Sequence, residues 1–216
     1  MAAGTSKRES RAGEDPRSTS WDGGSELSLH LALRRPAMDC VETELLDRNV
    51  WRRRPRAANR LSLTVTTRST YRQPIAKAFA AGINDRVGCS KDLYQRMRTA
   101  LQEAIMNAVM HGNLGLASQF RGNLQGLAAS HAVIEELLDR PSVARSVIGV
   151  DATWNAATLQ IVVRDSGKGF TRNRSETSES LRSERCHGRG LLLLDAFCDR
   201  VAVVNGGTTV KMTFRL

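Results

Sequence analysis

Glu103, Asn107 and His111 recur at four-residue intervals in the segment ALQEAIMNAVMHGN. Four residues advance an α-helix by about 400°, so the three drift only about 80° around it and form one polar band. A carboxylate and a carboxamide one turn apart suit a hard, oxygen-seeking cation and a positioned hydroxyl or water. A solvated helix edge has the same spacing. A second group, Asp165-Ser166-Gly167-Lys168-Gly169-Phe170, follows the run LQIVVR. Its glycines let the backbone turn tightly and approach a ligand, and an Asp at a strand end can accept from an exocyclic amine such as that of adenine. An ordinary strand-ending turn fits equally. The third group is His187-Gly188-Arg189-Gly190-Leu191, which opens an apolar run. Backbone N–H groups at a helix start attract anions, and Arg189 adds a charged donor; a plain glycine turn into a core helix is the alternative. In the fourth, Gly206-Gly207-Thr208-Thr209-Val210, a hairpin can bring a Thr hydroxyl beside the strand-end Asp, or simply turn the chain.

These groups need elements to position them. Leu61, Leu63 and Val65 alternate with Ser62, Thr64 and Thr66, which predicts a half-buried strand. A helical run, IAKAFAAGI, follows Pro74 and closes around Asn84 to Gly88. Ser90 suits an N-cap for a long helix to about His111, with Leu93, Met97, Leu101, Ala104, Ile105 and Ala108 on one apolar stripe. A further helix is expected over about 118–139, where His131 shares a face with Leu124, Leu127, Ile134 and Leu138 and reads as a core histidine. Strands are expected over 147–153 and 159–164, a short helix over 191–197, and a final hairpin about Asn205-Gly206-Gly207. Helices early and strands late predict a two-layer α/β sandwich.

Composition limits the function classes. The chain has 216 residues and a formal charge of +10, with 32 Lys+Arg against 22 Asp+Glu. No run approaches the roughly 18 apolar residues of a membrane span. Cys40, Cys89, Cys186 and Cys198 form no C-x-x-C pair and read as reduced thiols of a cytoplasmic protein. Residues 1–60 are expected to be a disordered, Arg-rich tail, with LSLHLAL at 27–33 offering a strand or a partner-binding segment. Arg48, Arg52, Arg53, Arg54, Arg56 and Arg60 fall in a window without acids, but only Trp51 could stack on a base, so a nucleic-acid partner is not expected. Residues 171–186 read as a lid or a disordered loop.

The ordered series E-x3-N-x3-H-G-N, D-x-G-x-G-F, G-R-G-L and G-G-T-T-V resembles the GHKL (Bergerat-fold) ATPase superfamily over residues 61–216. Within it the chain resembles the anti-sigma-factor serine/threonine kinases, whose helix reads E-A-x-x-N-A-x-x-H-G. The resemblance implies a mixed, mainly antiparallel sheet with helices on one face, and binding of ATP and Mg²⁺. It implies Asn107 as the metal ligand and Glu103 as the base that orients the attacking hydroxyl. It further implies Asp165 as the adenine reader with Gly167 and Gly169, and Gly188, Arg189 and Gly190 over the phosphates. His111, which closes the helix motif, is implied as a further nucleotide-binding residue, and Thr209 as the threonine beside adenine. The implied activity is phosphate transfer to Ser or Thr of a partner, either an anti-sigma antagonist or another regulator, with capture of a sigma factor. A non-catalytic, nucleotide-gated binding module is the alternative. Homodimerisation through the first strand is also implied. Residues 114–147 add a helix that the family pattern does not require.

Overall fold

The structure, a computed structural model, describes residues 17–48, 57–116, 124–169 and 188–216. Seven strands form one mixed sheet: β1 Ser18–Trp21, β2 Asp39–Glu42, β3 Arg60–Thr66, β4 Val147–Trp154, β5 Thr158–Arg164, β6 Arg200–Val204 and β7 Thr209–Arg215. Their order across the sheet is β1-β2-β3-β4-β5-β7-β6. The first three run parallel and the other pairings are antiparallel. Seven α-helices are described: α1 Glu26–Ala32, α2 Thr67–Arg72, α3 Ile75–Val87, α4 Lys91–Asn107, α5 Leu124–Leu138, α6 Pro141–Ala144 and α7 Gly188–Phe197.

Strand register separates the two faces of the sheet. Leu63, Val150, Val163, Val210 and Val203 stand in one row across β3, β4, β5, β7 and β6, and Leu61, Ala152, Ile161, Met212 and Val201 in another. Apart from Val203 at the sheet edge, these rows join or pack against the core formed with Phe79 and Ile83 of α3 and Met97, Leu101 and Ile105 of α4. The alternate residues, including Ser62, Asp151, Val162 and Lys211, face the other way. Asp151 there is paired with Arg164. The expected two-layer α/β sandwich is therefore the architecture.

The N-terminal expectation needs correction. Residues 17–48 are not a disordered tail. They supply β1, α1 and β2, which extend the sheet beyond β3. Trp21, Leu29, Leu33, Cys40 and Leu45 are buried in this unit. The alternation of LSLHLAL suggested a strand, yet Glu26–Ala32 is helical. Ser25 accepts from Ser28 N at 3.1 Å, and Ser28 Oγ in turn accepts from Ser25 N, a reciprocal cap that starts the helix. Leu29 and Leu33 then share a buried face, leaving Leu27 and Leu31 exposed. Glu42 pins the unit to the rest of the chain. Its Oε2 accepts from Thr66 N at 2.6 Å, and its Oε1 accepts from Ser69 Oγ at 2.7 Å and Thr66 Oγ1 at 3.1 Å. β3, the strand expected to form a homodimer, is paired on both edges within the chain, with β2 and β4.

The Arg-rich window is anchored at both described ends. Arg48 donates to Arg145 O at 2.9 Å, and Arg60 pairs with Asp39 at 2.8 Å. Arg52, Arg53, Arg54 and Arg56 lie outside the described residues. The added helix is α5, tied to α2 by the Arg72–Glu135 ion pair at 2.6 Å and by Arg68 donating to Leu138 O. His131 is exposed and not a core residue; its ring lies 6.1 Å from that of Tyr71.

Candidate functional site

Ser90 caps α4 by accepting from Leu93 N at 3.2 Å, and Leu93, Met97, Leu101, Ala104 and Ile105 bury one side of the helix. This fixes its rotation, so Glu103 and Asn107 remain half-buried at the border of the core. After Asn107 the helix widens into a π turn over Ala108–Asn113. Such a turn carries an extra residue and is common at functional sites. It displaces His111 from the band: His111 is exposed and its Nδ1 donates to Leu116 O at 2.7 Å. It also brings Gly112 against Asp165.

Asp165 lies just beyond β5. A Cβ placed at residue 112 would stand 2.5 Å from Asp165 Cγ, and one at residue 167 would strike the Gly112 carbonyl. The two backbones therefore close on each other at glycines. Gly169, at φ +68°, lies against the Gly206 carbonyl and Thr208 Cγ2. Three successive amides of this loop are engaged. Asp165 N donates to Thr208 O at 3.0 Å, Ser166 N to Asn113 Oδ1 at 2.7 Å, and Gly167 N to Asp165 Oδ1 at 2.8 Å. Burial pushes the Asp165 carboxyl up to about 6, against the downward pull of the Gly167 and Asp165 amides. Among the described residues, Asp165 Oδ2 accepts no hydrogen bond.

The start of α7 meets the polar band on α4. A Cβ at residue 190 would lie 2.6 Å from Glu103 Oε1 and 2.8 Å from Asn107 Nδ2. Gly188 and Gly190 are in the first turn of that helix, as is the backbone of Arg189. The expected lid, 171–186, and His187 lie outside the described residues. Thus the structure gathers Glu103, Asn107 and Gly190 at one end, and Asp165, Gly167 and Gly169 at the other.

A model of the histidine kinase-like ATPase domain matches residues 65–214. The chain belongs to that family. The match begins inside β3, so the β1–α1–β2 unit of the ATPase lies outside it. No curated protein matches the chain. Membership implies nucleotide binding, and the residues present suit that ligand. A half-buried carboxylate with an open acceptor oxygen can take an amine N–H, and a carboxylate and carboxamide beside the Gly190 backbone at a helix start combine oxygen donors suited to Mg²⁺ with amides suited to phosphate. Among the described residues there is no cluster of three or more His, Cys, Asp or Glu for a metal, and no helix long and apolar enough to cross a membrane.

Thr209 is not gathered with Asp165. It pairs in register with Arg164 and faces away from the helices. There it is buried, accepts from Asn205 Nδ2 at 3.1 Å, and lines a cavity of about 330 Å³ with Asp151, Arg164 and Lys211. Its neighbour Thr208 is the threonine adjoining the Asp165 loop. Strand parity carried the signal, since Thr208 alternates with Val210, Met212 and Phe214 on the core face. Two further residues were missed. Gly112 and Asn113 stand in the H-G-N run, but the π turn that presents them leaves no mark in helical periodicity.

Proposed function

We propose that this ATPase transfers the γ-phosphate of ATP to a Ser or Thr of a partner protein in the cytoplasm, as an anti-sigma-factor-like kinase. The partner is an antagonist of the anti-sigma type, and a sigma factor is the second protein it captures. The observation that carries the reading is Glu103 beside Asn107 under the start of α7. A carboxylate there supplies a proton acceptor at the phosphate end, which a kinase requires and a module that only senses nucleotide does not.

Asp165 orients the nucleotide by accepting from its exocyclic amine at the far end of the site. Asn107 supplies the carboxamide oxygen for Mg²⁺, which when bound neutralises phosphate charge and aligns the terminal phosphate. The first-turn amides of α7, with Arg189, favour the anionic end. Glu103, one turn before Asn107, accepts the proton of the incoming hydroxyl as its oxygen bonds to the γ-phosphorus and the bond to the β-phosphate oxygen breaks. Gly190 keeps side-chain atoms out of that approach. ADP and a phosphoprotein are the products.

The test is incubation of the full chain with Mg-ATP and candidate partners, followed by phosphosite mapping. Transfer to Ser or Thr that disappears in Glu103→Gln, while that variant still binds ATP, supports the kinase. ATP-dependent partner binding with no phosphoprotein would replace it with a nucleotide-gated binding module.

A further inference from the structure

Asn113 connects four segments that are far apart in sequence. Its Oδ1 accepts from Ser166 N at 2.7 Å. Its Nδ2 donates to Thr67 Oγ1 at 2.7 Å and to Val147 O at 3.2 Å. Each partner is itself fixed. Thr67 N and Oγ1 both donate to Ser146 O at 2.8 Å, and Ser166 Oγ donates to Val147 O at 3.1 Å. The carboxamide thus has its oxygen on the loop after β5 and its nitrogen on the starts of α2 and β4. Both ends of this amide are used, so its orientation is set by donor and acceptor chemistry.

The consequence falls on Asp165. The Asp165 amide is held by Thr208 O and the next amide by Asn113 Oδ1, while the carboxylate itself spends Oδ1 on Gly167 N. Asn113 is the side chain in this set that reaches the loop from the helical layer. Without it Ser166 N loses its acceptor, and the peptide joining Asp165 to Ser166 gains room to rotate between the neighbouring groups that stay bonded, the Asp165 and Gly167 amides and Ser166 Oγ. Rotation redirects Oδ2, the oxygen left for a ligand. Resting on the nucleotide reading above, we propose that Asn113 is the positioning residue that lets this site choose a base with an exocyclic amine over one with a carbonyl at the same position. A carboxylate aimed at that edge attracts an N–H and repels an oxygen, so aim matters more to discrimination than to total affinity. An unaimed loop loses the choice while the phosphate end continues to bind.

The experiment compares ATP and GTP binding to the full chain by titration calorimetry in Mg²⁺, for wild type, Asn113→Ala and Thr67→Val. Wild type prefers ATP by more than about tenfold. Asn113→Ala reduces that preference to within about threefold, with the GTP affinity unchanged. Thr67→Val removes only the hydroxyl that anchors the amide, and lowers the preference about threefold; it carries the test if Asn113→Ala does not fold. A purely structural role for Asn113 would lower thermal stability and weaken both nucleotides equally. A preference unchanged in the folded variants therefore overturns the proposal. A wild-type protein that binds neither nucleotide, or both alike, instead overturns the nucleotide reading on which it rests.

Discussion

Gly112 and Asp165 are in direct apposition: a Cβ at residue 112 would lie 2.5 Å from the carboxylate carbon of Asp165. Far apart in sequence, they join the end of the α4 run to the loop after β5. Gly112→Ala is expected to push Asp165 outward and weaken ATP binding at least about tenfold, since loss of one oriented charged hydrogen bond is worth about 1.5–3 kcal/mol. Fluorescent-nucleotide displacement measures this. Wild-type affinity in Gly112→Ala would mean that the apposition has no bearing on the site.

The same burial carries a stability cost that varies with pH. Asp165 is raised from an ordinary 3.8 to about 6, so the folded state holds its proton more tightly than the unfolded state. Ionisation therefore disfavours folding progressively between about pH 4 and pH 6, and the whole penalty is present above that window. A tenfold difference in proton affinity corresponds to about 1.4 kcal/mol, and solvent that still reaches the carboxyl screens part of the cost. Asp165→Asn should thus stabilise the ligand-free protein by on the order of 1–2 kcal/mol at pH 7.5. The gain should vanish near pH 4. Urea denaturation at both pH values decides the matter, and a gain independent of pH would remove the carboxylate as its source.

Gly190 meets Glu103 at the opposite end of the site. Gly190→Ala forces the first turn of α7 away from the polar band. Affinity for ATP should fall at least about tenfold while adenosine, which lacks phosphates, binds as before, because helix-start amides act on the anionic end. Equal losses for the two ligands would show instead that the base end had been disturbed.

Glu42 provides the test of the N-terminal unit. Its buried carboxylate accepts from Thr66 N, Thr66 Oγ1 and Ser69 Oγ. Glu42→Ala leaves those donors without their acceptor and should cost about 2–4 kcal/mol. Trp21→Ala, at a fully buried position, should cost about 3–5 kcal/mol by opening a cavity. Chemical denaturation measures both. Changes below about 0.5 kcal/mol would mean that residues 17–48 do not belong to the cooperative unit.

Much of the ATPase was legible in residue order. Ser90 and the stripe from Leu93 to Ala108 marked α4, alternation marked β3, and β-rich runs bounded by turns marked β4, β5, β6 and β7. Three features were hidden for different physical reasons. The π turn over Ala108–Asn113 keeps helical composition while changing hydrogen-bond spacing, so Asn113 closed the H-G-N run without a role of its own. The run at 27–33 alternates like a strand, and its reciprocal serine cap and Leu29–Leu33 spacing prevail only once a core exists to bury them. Thr208 and Thr209 differ by one position, and a shift of one residue exchanges the faces of a strand.

The central claim is that Asp165 reads adenine in a site completed by Asn107 and the start of α7. Titration calorimetry of Mg-ATP into wild type and Asp165→Asn tests it most directly. Wild type should bind one ATP per chain, and Asp165→Asn should lose at least about tenfold in affinity while remaining folded, as expected for removal of a charge-assisted hydrogen bond. No ATP binding by the wild type, or equal affinity in the two proteins, would contradict the account.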